Sequence, residues 1–450
     1  MGNEFIPFSK LMSKGRDENH ICAFRRDETE VTWKELKKDV GLVCGQLKNS
    51  QREHYVLACE DIYLFLVAFM ALSQTAKHIV ISPNLQPKKL SLVSSQCDGM
   101  ILNNKEVLEL IAADKECSAF HELNKEQIKI TVYTSGSTGQ AVPVTKSLSA
   151  LEAEVAAFDQ IWGTRIEGGV FVSSVAHYHT YALPFQLLWP LCSGEPILLE
   201  KISYPEDLLN YGGKYDLNFI SSPAFLIRYS EVIQGPVDFL KFVTSAGASL
   251  PNSAAEKIAK VLSEPIVEIY GSTETGAIAM RPCIEGKVWS CLPEVAIKKN
   301  NDGTLLVKSP YAGKEDYQEI ADYVDLCNDE SFVLKGRADR IVKVYEKRVS
   351  LIELENLCAE LPWVRTAKAI VLKEDDRLGC VVELNQEGVD MLKQSGRRAL
   401  IEELRKHLHR SFELVLLPRR WRFVEALPCN DMGKLLQEEL LGLFEDVPFS

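Results

Sequence analysis

Short apolar runs recur along the first two-thirds of the chain. "HYVLACE", "KHIVISP", "GGVFVSSV", "PILLE", "LNFISSP", "KFVTSAG" and "IVEIYG" each have the length and the β-branched or aromatic content of a strand. Segments of helical spacing lie between them. In "SALEAEVAAFDQIW" the residues Leu148, Leu151, Val155, Phe158 and Trp162 follow one another at intervals of three and four, which puts them on one apolar face. The most apolar run, "YLFLVAFMAL", falls far short of the ~20 residues that span a bilayer and reads as a buried helix. The alternation predicts a large α/β region with extensive sheet over residues 1–336.

After "LKGRADR" the pattern changes. "SLIELENLCAEL" predicts a short helix whose Ser350 and Glu353 have capping-box spacing. "VRTAKAIVLKEDDRLGCVVELN" predicts a hairpin around Asp375 and Asp376. A helix over "ALIEELRKHLHRSF" and a strand in "RRWRFVEAL" follow. A boundary near 336–340 therefore separates a large N-terminal domain, 1–336, from a small α+β domain, 337–450.

Composition narrows the function. The 450 residues allow two or three domains. A net charge of −12 argues against nucleic-acid binding, which needs a basic footprint. The N-terminus has no apolar leader, and Ile6 breaks the myristoylation pattern after Gly2. The twelve cysteines are scattered, without a C-x-x-C pair, as expected of reduced thiols in a cytoplasmic protein. No close Cys/His spacing points to zinc, and His177 and His179 alone are weak grounds for a metal. Membrane insertion is not expected.

"TVYTSGSTGQ" is the first stretch with chemistry in it. Small residues let a backbone approach an anion, and successive N–H and hydroxyl groups can then donate to phosphate oxygens. It is not a Walker A loop, because Thr145 stands before Lys146–Ser147 where glycine is required. Three more blocks follow in order: "YGSTETG" (270–276), "GRADRIVK" (336–343) and "PCNDMGK" (428–434). Together the four blocks resemble the adenylate-forming superfamily of acyl- and aryl-CoA synthetases, peptide-synthetase adenylation domains and luciferases. The resemblance covers nearly the whole chain.

The resemblance implies a fold with a large multi-sheet N-terminal domain and a small mobile C-terminal one. It implies ATP and Mg²⁺ as cofactors and a carboxylic acid activated to an acyl-adenylate. Thr134, Ser135, Gly136, Ser137, Thr138 and Gly139 would wrap the β- and γ-phosphates. The family's lysine after this loop is missing, with Val142 in its place and Lys146 the next cation. Tyr270 would stack on adenine, with Gly247 close by, Thr273 would contact the α-phosphate and Glu274 would hold Mg²⁺. Asp322 would bind the ribose although Ala321 replaces the usual glycine, and Arg337 would touch ribose or phosphate. Asp339 would be the hinge, and Lys434 would bridge the carboxylate and the α-phosphate in the adenylation step.

His179, Tyr181 and Ala182 in "SSVAHYHTYALPF", with Ser222, Ser245 and Ala246, would line the substrate pocket. The block carries no Asp of the kind that pairs an α-amino group, which points to an aryl or acyl acid. Coenzyme A ligases usually have glycine where this chain has Glu346. With its short N-terminal region, the chain looks more like stand-alone ligases that load an acyl carrier protein. Arg397, Arg398, Arg405, Lys406, Arg410, Arg419, Arg420 and Arg422 would offer such an acidic partner a basic face. A ligase using free coenzyme A, and a nucleotide-binding regulator with lost turnover, are the alternatives.

Overall fold

The computed structural model describes residues 3–82, 85–97, 99–113, 117, 119–135, 141–233, 235–248, 250, 252–262, 265–284, 287–337, 340–344, 347–372, 377–428 and 437–445. Strands β1 (Ile21–Phe24) and β2 (Glu30–Thr32) form a hairpin. β3 (His54–Leu57), β4 (His78–Ile81), β5 (Met100–Leu102), β6 (Lys129–Ser135) and β7 (Ala141–Ser147) make one sheet in the order β5-β3-β4-β6-β7. All its pairings are parallel except β6 with β7.

β8 (Val170–Ser173), β9 (Ile197–Lys201), β10 (Leu217–Ser221), β11 (Leu240–Ala246) and β12 (Val267–Ser272) run parallel in a second sheet, ordered β12-β11-β10-β8-β9-β1. It continues antiparallel through β13 (Gly276–Pro282), β14 (Val288–Cys291), β15 (Ala296–Lys299), β16 (Thr304–Lys308), β17 (Gln318–Asn328) and β18 (Ser331–Arg337). Thirteen strands make up this sheet among the described residues.

Parallel strands covered on both faces carry continuous apolar runs, and β8 and β10 are buried along their whole length. The apolar run after Cys59 is the helix Ile62–Gln74, with every residue buried. The helix Leu148–Ile166 starts where Ser147 Oγ accepts the N–H of Ala150. Its apolar face enters an aromatic cluster, with the Phe158 and Phe185 ring centroids 3.9 Å apart and Trp162, Trp189 and Phe242 around them.

Past Arg337 the chain forms β19 (Ile341–Val344) and β20 (Lys347–Ser350), then a sheet of β21 (Val364–Leu372), β22 (Arg377–Leu384) and β23 (Arg420–Val424). Leu354, Trp363, Cys380, Leu404 and Trp421 belong to a core cluster distinct from the larger ones. Ser350 Oγ accepts the Glu353 N–H and starts the helix Leu351–Ala359, as the spacing predicts. β21 and β22 pair as the expected hairpin, with the turn at Asp375 and Asp376 outside the described residues.

One element differs from its prediction. The helix expected from Ala399 begins at Gln386, behind an Asn385 cap, and ends at Leu408. It is broken at Gly396, whose φ of 76° is non-helical. Few apolar residues lie before the break, so that part left no helical face to read. No helix among the described residues is long and apolar enough to cross a membrane.

Candidate active site

The candidate residues collect at the carboxyl ends of parallel strands, where open α/β sheets present ligand crevices. β6 ends at Ser135, β8 at Ser173, β10 at Ser221, β11 at Ala246 and β12 at Ser272. The phosphate loop thus leaves one sheet, and the remaining site segments leave the other. Thr134 and Ser135 close β6, paired in register with Val142 and Ala141 at the start of β7. Gly136, Ser137, Thr138 and Gly139 lie outside the described residues, as do Asp339, Glu346 and Lys434.

"YGSTETG" is a hairpin. Tyr270 pairs with Ala279, and Ser272 with Gly276, leaving Thr273, Glu274 and Thr275 at the turn. Ser272 Oγ accepts the Thr275 N–H and also bonds to Thr275 Oγ1. Gly276 has φ +73°, and a Cβ there would stand 2.7 Å from Tyr311 Cβ. At Gly271 a Cβ would collide with the Gly276 carbonyl oxygen, so both glycines are required by close approach. Glu274 is exposed and Thr273 half-buried.

Behind this turn, the Tyr270 ring packs against Trp289 and Phe332, with centroids 5.4 and 5.7 Å away. Its hydroxyl donates to Asp322 Oδ2 at 2.5 Å. Asp322 is buried and pairs across the β17–β18 ladder with Arg337. Tyr270 and Asp322, 52 residues apart, are thereby joined.

The block "SSVAHYHTYALPF" crosses the ends of the same strands. Thr180 Oγ1 lies 3.4 Å from Thr273 Oγ1. Tyr181 Oη bonds to Thr244 Oγ1 on β11 at 2.5 Å, and burial pushes its pKa well up. His179 Nδ1 accepts the Tyr181 N–H, which leaves the ring's other nitrogen as the donor when the imidazole is neutral. Ser174 and Ser221 share a 3.0 Å hydrogen bond, and Ser222 next to them opens the helix Pro223–Val232. Ser245 is fully buried and its hydroxyl has no partner among the described residues. Ala246 is half-buried, and Gly247 is exposed with φ +92°. Ala182 is buried and leads into a π-helical turn, Leu183–Leu188, closed by the Trp189 N–H on the Pro184 carbonyl. Such turns occur often at functional sites.

On the other side of this block a cleft of about 720 Å³ opens where the two sheets meet. Its walls include Arg26, Asp61, Gln86, His177, Tyr178 and Lys201. His177 Nε2 faces the Cys59 carbonyl at 3.0 Å, and burial lowers its pKa to about 4.

Two site residues escaped the sequence reading. Glu154 is buried beneath the 270–276 turn, where its Oε1 accepts the Ala277 N–H at 2.7 Å. Desolvation raises its pKa, against the pull of Lys146. Glu268, also buried, accepts from Leu250 N–H and Arg281 Nε and ties the 250 loop to β12 and β13. A signal existed for Glu154, since it lies between Leu151 and Phe158 on the apolar face. Several arginines expected on a basic face are otherwise engaged. Arg397 donates to the Trp421 carbonyl, Arg405 to Pro418, and Arg422 to Leu443 and Trp421.

The architecture is that of an adenylate-forming enzyme. A structure of ATP-bound MatB from Rhodopseudomonas palustris superposes with a TM-score of 0.80, covering 98% of this chain and 99% of that one at 16% identity. The anthranilate CoA ligase AuaEII in complex with anthranoyl-AMP gives 0.79, at 98% and 97% coverage and 16% identity. In sequence, a 4-coumarate–CoA ligase of Cereibacter sphaeroides is 28% identical over 319 residues, 70% of this chain and 72% of that protein. Residues 13–304 match the AMP-binding enzyme family, and the chain belongs to it. It is an adenylate-forming acid–thiol ligase that uses ATP.

Proposed function

We propose that the enzyme activates an aryl or acyl carboxylate with ATP and transfers the acyl group to the phosphopantetheine thiol of an acyl carrier protein. The observation that carries the first step is the contact of Thr180 with Thr273, which brings the substrate block against the turn assigned to the α-phosphate. A carboxylate oxygen attacks the α-phosphorus there and pyrophosphate leaves. Lys434 meets the charge that builds on the phosphoryl oxygens. Tyr270 holds Asp322 toward the ribose. Among the described residues no cluster of three acids, histidines or cysteines could cage a metal. Glu274 alone at an exposed turn suits a Mg²⁺ held by one carboxylate and by phosphate oxygens. When bound, that ion offsets phosphate charge.

In the second step the thiol sulfur attacks the acyl carbon, AMP leaves, and the thiol proton goes to solvent. Rotation of residues 337–450 against 1–336 about Asp339 would separate the steps, and the distinct core of the C-terminal part supports two such bodies. Glu346 in place of glycine favours the carrier protein over free coenzyme A. The second reading, coenzyme A as acceptor, is supported by relatives such as the 4-coumarate–CoA ligases. Scattered cysteines without a C-x-x-C pair support a cytoplasmic location.

The test is pyrophosphate release over hydroxybenzoates, cinnamates and C4–C14 fatty acids. Release with one acid class is expected, lowered ~10²–10³-fold in Lys434→Ala. No release from any acid, with ATP still bound, would instead support a nucleotide-binding regulator. Thioester formation with holo carrier protein against free coenzyme A then separates the two acceptors.

A further inference from the structure

Val142, which the family resemblance sets at the place of the phosphate-loop lysine, is in register with Thr134 on the β6–β7 ladder. Lys146 lies further along the same strand. The pleat sends neighbouring side chains to opposite faces. Thr145 Oγ1 bonds to Thr131 Oγ1 at 2.6 Å on one face, and Thr131 bonds onward to His78. Lys146 takes the other face, where the charges acting on it are those of Glu154 and Glu274. Glu154 is 4% exposed and fastened by the Ala277 N–H. Gly276 makes room for it, since a Cβ there would stand 3.1 Å from Oε1. Lys146 thus lies on β7, the strand that follows the phosphate loop, and feels the charges of the buried Glu154 and of Glu274 at the 273–275 turn.

We infer that Lys146 supplies the cation that this phosphate loop lacks and binds the β- or γ-phosphate of ATP, with Glu154 as its positioning residue. The inference rests on the adenylating reading of the same site. A triphosphate arriving beside Glu274 needs positive charge. A desolvated ammonium acts on phosphate with little screening. Burial lowers the Lys146 pKa while both acids pull it back up, and an added phosphate pulls the same way.

The test compares ATP and AMP affinities by calorimetry in wild type, K146M, K146R and V142K/K146M. ATP binding should weaken on the order of tenfold in K146M, the size of one lost charge-assisted hydrogen bond, while AMP binding stays within about twofold. K146R should keep most of the ATP preference, and V142K/K146M should regain it. If K146M does not fold, K146M/E154Q removes the ammonium and the buried acid together and is read in the same way. Equal losses for ATP and AMP, or none, would overturn the inference and leave adenylation standing. Wild type that binds neither nucleotide would overturn both.

Discussion

His177 shows what burial does to one titratable side chain. Its imidazole stays neutral because water is excluded, with the Phe65 ring against it and Asp61 only partly restoring its basicity. The unfolded chain takes up a proton near pH 6.5, whereas the native state resists until about pH 4. The sign follows: stability is intact above 6.5 and falls with pH toward 4. Between pH 7 and 5 this group alone should cost roughly 2 kcal/mol. Urea midpoints at the two pH values should move further apart for wild type than for His177→Gln, which keeps a donor near the Cys59 carbonyl. An identical drop in both proteins would refute this cause. Residues of this kind are hard to foresee, because burial is a tertiary property. Motifs made Tyr270, Thr273 and Asp322 candidates, but nothing in the sequence announced the bond that joins Tyr270 to Asp322.

At the scale of the element, the β12–β13 hairpin is the most constrained piece of the site. Adding one methyl in Gly276→Ala forces a left-handed φ on alanine and presses on Tyr311 and the Glu154 carboxylate. A loss of about 1–3 kcal/mol is expected, together with weaker ATP binding as Thr273 and Glu274 shift. Thermal unfolding and calorimetry check the two effects, and an unchanged ATP affinity would show that the turn absorbs the change. Parallel strands such as β8 and β10 were readable because both faces are buried and the apolar runs are continuous. The helix Leu148–Ile166 was readable from its spacing. The π-helical turn after Ala182 was not, because an apolar run with Pro184 looks the same whichever helical pitch it adopts. Residues 386–395 were missed for want of an apolar stripe.

Over the whole molecule, Arg365 of β21 makes a two-pronged ion pair with Glu231 of the helix Pro223–Val232, at 2.9 and 3.0 Å. It bridges the C-terminal sheet and the larger part of the chain. Both side chains are about a quarter to a third exposed, so screening limits the pair to roughly 1 kcal/mol. That still amounts to about a fivefold bias between two orientations. Arg365→Ala and Glu231→Ala should therefore change the ratio of pyrophosphate release to thioester formation by about that factor, in the same direction. The double variant should add little to either. Unmoved ratios would mean that the pair plays no part in turnover. The change of pattern after "LKGRADR" is the sequence ground for proposing two parts. How the parts touch was not legible, since Glu231 and Arg365 are 134 residues apart.

The thiols described above acquire a meaning from the reaction. An enzyme that makes an activated acyl group endangers its own nucleophiles. Burial pushes Cys22, Cys44, Cys59 and Cys283 up to about 12, and Cys291 to about 11. At neutral pH a thiol of pKa 12 is thiolate on the order of once in 10⁵, and only the thiolate attacks. Cys59 sits beside the His177 cleft wall and is silenced in this way. These buried thiols are thus poor targets for the activated acyl group that the enzyme makes.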